Sequence, residues 1–99
     1  MELVWLMDND KVNEALRACD NAIVLYAGGV SPERWTEHAP RHDDRLRHLR
    51  WMVVEASSWP AGRLEKKFRW LGFIQGALWA DGLCDIDDLK HMNKPESLA

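Results

Sequence analysis

The sequence predicts an all-α protein: a compact small bundle of three longer helices and one or two short ones, forming a single domain over residues 1–99. Three observations lead there. Apolar residues recur at spacings of three and four in three separate stretches, the period of a helix buried on one side. Helix stops separate those stretches: Gly28 and Gly29, Pro40, the run Trp59 to Gly62, and Gly82. The chain has 99 residues, 46% hydrophobic and 29% charged. That is enough for one core and too little for separate cofactor and substrate domains.

The first stripe is Val12, Ala15, Leu16, Cys19, Ala22, Ile23 and Tyr26. It predicts a helix over about 10–26, with Asp8, Asn9 and Asp10 as N-cap oxygens and the Gly28 pair as its stop. Residues 1–7 are apolar on both faces and read equally as a strand or an arm. Ser31, Pro32 and Glu33 make a helix start, which predicts a short helix that Pro40 ends near residue 39. A second long helix is expected over His42 to Ser57. Asp43 and Asp44 favour its N-terminus, and Leu46, Leu49, Met52, Val53 and Ala56 form its inner stripe. The third, about Arg63 to Ala80, has two apolar faces: Leu64, Phe68, Leu71, Ile74 and Leu78 on one, Trp70, Phe73, Ala77 and Ala80 on the other. Asp85 and Asp88 have capping-box spacing for a last short helix, Ile86 to Met92.

Composition excludes several classes. The longest nearly apolar stretch, Trp70 to Ala80, is eleven residues broken by Gln75, whereas a membrane span needs about 20. The first residues have no basic segment and only a short apolar run, unlike a secretion signal. A cytoplasmic protein follows as the expectation, with Cys19 and Cys84 as free thiols that pack as small apolar groups. A net charge of −3 argues against bulk nucleic-acid binding.

The charge is segregated. Residues 41–69 hold eight basic and four acidic residues, a net +4, and the rest of the chain carries −7. Trp51, Trp59 and Trp70 interleave this basic middle. Arginine and lysine suit phosphate, and an indole face suits a base. The candidate ligand-binding residues are therefore Arg45, Trp59, Arg63, Lys66 and Arg69, with Lys67 beside the strip. A solvated helix face over core tryptophans has the same composition.

Six tryptophans are more than a small core buries with every indole N–H satisfied. Some are expected at an interface. Within the third helix Gly72, Gly76 and Ala80 lie four apart, a ridge almost without side chains. Each glycine costs roughly 1 kcal/mol against alanine. Close packing of another helix, inside the monomer or between subunits, or of a flat ligand, offsets that cost. Trp70, Gly72, Phe73, Gly76 and Trp79 are the candidate interface of a homo-oligomer.

Catalysis has little to stand on. Ser57 and Ser58 lack a nucleophile-elbow setting, and neither cysteine has a histidine beside it. His38 and His42 have a zinc-like spacing, but Pro40 stands between them and no pair of closely spaced cysteines accompanies them. No metal, cofactor or catalytic residue is assigned.

Three segments, His48 to Met52, Glu65 to Trp79, and Gly82 to Lys90 with Asn93, together resemble a pattern in short uncharacterised proteins of tailed phages and prophages. Trp70 to Gly76 is the most specific part, and the first forty residues do not share in the resemblance. It implies a small, helical, often oligomeric accessory protein and brings no catalytic or binding residues with it. Two functions are consistent with these observations. One is an inhibitor or modulator that binds a host protein, such as a defence factor. The other is a module that sequesters a nucleotide or cyclic nucleotide between subunits.

Overall fold

The computed structural model describes residues 8–38 and 41–94. The expected arm at residues 1–7, which includes Trp5, lies outside them, as do Ala39 and Pro40. The described chain is all-helical. Helix α1 spans Asn9–Ala27, α2 His42–Ser57, α3 Leu64–Ala80 and α4 Ile86–Asn93, and one 3-10 turn, Ala61–Arg63, precedes α3. No helix among the described residues is long and apolar enough to cross a membrane.

The helix ends follow local chemistry. The Asp8 carboxylate caps α1 by accepting from the Lys11 N–H at 2.9 Å. Gly28, at φ 72°, ends that helix with its N–H on the Val24 carbonyl. At the end of α3, Gly82 adopts φ 81°. Its N–H reaches the Trp79 carbonyl and the Leu83 N–H reaches that of Leu78. This paired closure needs a left-handed residue, which glycine supplies without a steric penalty. Asp85 and Asp88 form the expected capping box, each carboxylate accepting from the other's backbone N–H at 2.8 and 2.9 Å.

The core is one cluster. Val12, Ala15, Leu16, Cys19 and Ile23 of α1 meet Leu46, Leu49, Met52, Val53 and Ala56 of α2 and Leu71, Ile74 and Leu78 of α3. Val30 and Cys84 close it from the connecting segments. Helix α1 touches each of the other three helices. Burying a leucine or isoleucine of this set contributes about 1.5–3 kcal/mol. Tyr26, at the end of the α1 stripe, is exposed.

Polar ties cross four of the helix interfaces. Arg50 of α2 grips Asp20 of α1 with Nε at 2.7 Å and Nη2 at 3.2 Å, and also donates to the Val30 carbonyl. Arg45 of α2 grips Asp81, just past α3, at 3.3 Å through two nitrogens. Gln75 of α3 and Asn93 of α4 exchange hydrogen bonds at 2.8 and 3.0 Å. Lys67 of α3 reaches across to α1, donating to Asn9 Oδ1 at 2.7 Å and Asn13 Oδ1 at 3.1 Å.

One expectation is corrected, and the structure places two further features. The short helix from Ser31 does not form: no helix is present between Val30 and His38. The segment lies along α2 instead. The Glu33 N–H donates to the Arg47 carbonyl at 3.0 Å, and the Trp35 N–H donates to His48 Nδ1 at 3.0 Å. A helix this short gains little by itself, so bonds to a preformed neighbour win. Lys67, beside the basic strip in sequence, is fully buried. Of the packing partners expected for the Gly72–Gly76–Ala80 ridge, a helix of the same chain is not found among the described residues. All three residues are exposed, and a Cβ added at either glycine would meet no atom within 4 Å.

Burial disfavours the Lys67 ammonium and holds its pKa below the ordinary 10.5. The unfolded chain therefore binds more protons at this site between the folded and unfolded values, and folding gains stability as pH rises towards 10.5. Denaturant titrations of wild type and Lys67→Met from neutral to alkaline pH should show their stability difference shifting in favour of wild type.

Candidate functional site

The α2–α3 connection creates the main surface feature. Trp59 and Pro60 stop α2, and the 3-10 turn starts α3 in the reverse direction. The spacing of Arg63, Lys66 and Trp70 keeps all three on one side of α3. Trp51 and His48, one turn apart on α2, lie beside them. The indoles form a row: Trp59 meets Trp70 edge-on at 4.6 Å between ring centroids, and Trp70 meets Trp51 at 5.9 Å. His48 stacks on Trp51 at 5.5 Å with the planes 27° apart. All three indoles are half-buried against the core.

Cations cap this row. Lys66 Nζ lies 4.7 Å from the Trp59 ring centre and 5.7 Å from that of Trp70. The Arg63 guanidinium is 5.4 Å from Trp59. Arg34, from the segment along α2, is 5.4 Å from Trp51. Each such contact contributes roughly 0.5–1 kcal/mol at a surface. Among the described residues none of these three cations is ion-paired with a carboxylate. The row therefore presents positive charge on aromatic faces, an arrangement that attracts carboxylates or phosphates.

The sequence-derived ligand set divides. Trp59, Arg63 and Lys66 come together as expected. Arg69 does not join them. It lies on the outer side of α3, with Nη1 3.8 Å from Glu65. Arg45 is at the far end: α2 and α3 run antiparallel, so its position near the start of α2 faces the end of α3, where it holds Asp81. Of the interface set, Trp70 turns into the indole row. Gly72, Phe73, Gly76 and Trp79 remain on the outer face, with Phe73 60% and Trp79 56% exposed. Arg34 escaped the sequence reading because it reaches the row from the 30–38 segment, which has no periodic signal, and His48 did so because its stacking on Trp51 and its bond to Trp35 depend on that docked segment.

A second depression, of about 510 Å³, sits at the start of α2, lined by Arg41, His42, Asp43, Asp44 and Arg47. Its walls carry both signs of charge. His42 Nε2 is 3.9 Å from Asp81, and Arg47 Nη1 is 3.7 Å from Glu33. The two cysteines are free and buried. Burial, with a smaller contribution from the neighbouring Cys84, pushes the Cys19 thiol up to about 12. Burial and then the charges of Asp88 and Asp85 raise that of Cys84. Both are protonated at neutral pH and are poor nucleophiles. No group of three or more histidine, cysteine, aspartate or glutamate side chains among the described residues is placed to hold a metal ion.

Comparison with known proteins adds nothing to this geometry: no family model, curated protein or solved structure matches the chain.

His48 links the site to pH. Its Nδ1 accepts the Trp35 N–H, so the docked segment requires a neutral ring. Burial, and then the Arg34 charge, lower its pKa below 6.5. The stability contributed by this contact is complete above 6.5 and falls as pH drops through the lowered folded value. Acidification should lower the amide-exchange protection factor at Trp35 and shift tryptophan emission. His48→Phe, which cannot accept that bond, should abolish the pH dependence.

Proposed function

We propose that this chain is a small accessory protein that acts by non-enzymatic binding, as a homo-oligomer, and that it occupies a host protein through the cation-capped tryptophan row. One observation carries the reading. Trp51, Trp59 and Trp70 lie side by side under Arg34, Arg63 and Lys66, and none of these cations is matched by a described carboxylate. Tryptophan and arginine dominate the energetics of protein interfaces. The excess positive charge selects an acidic partner surface and speeds encounter with it. The resemblance of the second half to tailed-phage proteins supports an accessory role inside a host cell, with a defence factor as the kind of target. No cofactor is part of the reading.

The same row favours a second reading, sequestration of a nucleotide or cyclic nucleotide between subunits. Trp59 meets Arg63 and Lys66 as that reading requires. However, the ring that would stack a base already carries two cations, and Arg45 is too far along the hairpin to assist.

A thermal-shift screen of nucleotides, with mass spectrometry of whatever is released, separates the two. A bound nucleotide recovered intact supports sequestration, and a chemically altered one overturns the non-enzymatic reading. With no nucleotide bound, the test is reconstitution with a purified host partner. The double change Arg63→Glu and Lys66→Glu should abolish binding in either case while retaining the helical fold, at a cost of roughly 1.5–3 kcal/mol for the three cation–π contacts it removes. Partner binding that survives the double change would show that the row is not the site.

A further inference from the structure

The outer face of α3 is apolar, exposed and covered by no described part of the chain. Gly72, Gly76 and Ala80 run along it, with Phe73 and Trp79 at its edges. Glycine weakens a helix interior relative to alanine, yet a Cβ at Gly72 or Gly76 would meet nothing within 4 Å. Nothing among the described residues explains two glycines here. The pattern about Gly76 is palindromic: an aromatic residue three positions away and a small residue four positions away, in each direction. On a helix this puts Phe73 and Ala80 to one side of the Gly76 line and Trp79 and Gly72 to the other.

We propose that this face packs antiparallel against the same face of a second copy of the chain, about a two-fold axis at Gly76. A two-fold contact must be self-complementary, and a palindromic strip meets that condition. In the antiparallel pair, Gly76 crosses Gly76 of the second copy. Trp79 covers Gly72 of the second copy, and Phe73 covers its Ala80. Each aromatic ring thus fills the space left by a small residue, which accounts for glycine where alanine would make a better helix.

Charge selects the orientation. The start of α3 carries Arg63, Lys66 and Arg69 against Glu65, whereas its far end is followed by Asp81, Asp85, Asp87 and Asp88. The helix dipole has the complementary sign at each end: positive at the start and negative at the finish. Antiparallel packing sets Arg69 of each copy towards the acidic end of the other and opposes the two dipoles. Parallel packing would bring like ends together. A second copy therefore fits this face in both shape and charge. The inference rests on the oligomeric part of the proposal above and is independent of what the tryptophan row binds.

Sedimentation equilibrium tests it. The wild-type chain should sediment at twice its mass of 11.5 kDa. Gly76→Leu and Trp79→Ser should each weaken the dimer about 100-fold or more, with helical circular dichroism retained. Leu25→Ser, at an 88% exposed position on α1, should leave it intact. If Gly76→Leu fails to fold, Trp79→Ser decides, since it changes an exposed side chain. For orientation, Gly76→Cys should oxidise to a self-linked dimer. Arg69→Cys should not, because the two copies of that position stand roughly 21 Å apart along the antiparallel axes, beyond disulfide reach. A wild-type monomer overturns both this inference and the oligomeric reading. A dimer that survives Gly76→Leu and Trp79→Ser, or that self-links through Arg69→Cys, overturns only the packing proposed here.

Discussion

Val12, Ala15, Leu16, Cys19 and Ile23 fill the space enclosed by α2, α3 and α4, and the other elements take their positions from that contact. Burying the stripe requires neighbours on several sides of α1. The α2–α3 hairpin supplies two of them, and α4 packs against α1 with Met92 Sδ 3.8 Å from Cys19 Sγ. The core that results is narrow. It is wide enough to cover one face of each surrounding helix and no more, as expected for so short a chain. Leu71, Ile74 and Leu78 consume that cover on α3, so the described residues leave the opposite apolar face of the same helix uncovered.

The polar ties act within this packing and give it register. A buried ammonium such as that of Lys67 is costly unless its hydrogens are accepted, and Asn9 and Asn13 accept two of the three only when α3 sits at one height along α1. The paired amides of Gln75 and Asn93 do the same for α4, and the two-nitrogen grips of Arg50 and Arg45 do it for α2. Apolar stripes tolerate sliding by a turn. These pairs do not, because a shift of one turn would strand buried polar groups.

Surface character follows from the same geometry. The hairpin reversal at Trp59 and Pro60 gathers the basic residues at the start of α3 over indoles that α2 and α3 cannot fully bury. The acidic residues after α3 collect at the other end. One elongated hairpin therefore carries a positive aromatic end and a negative end, with a bare apolar strip between them along the outside of α3.

The helices and their limits were legible in the sequence, since they rest on short-range physics. The three-and-four spacing marked the stripes of α1 and α2 residue for residue in the core, except for Ala22 and Tyr26. The Asp8 cap, the Gly28 and Gly82 stops and the Asp85–Asp88 box each involve groups within a turn of one another. The meeting of Trp59, Arg63 and Lys66 was legible for the same reason. Tertiary structure decided the rest. Whether Ser31 to His38 coils or binds α2 depends on acceptors at Arg47 and His48, which are distant in sequence. Lys67 is a surface lysine by composition and a buried one only because two asparagines of α1 face it. Arg45 was assigned by charge, but the antiparallel hairpin carries it to Asp81. A helix with two apolar faces does not state which one the core will claim. That choice belongs to the helices around it, and here it left the glycine ridge outside.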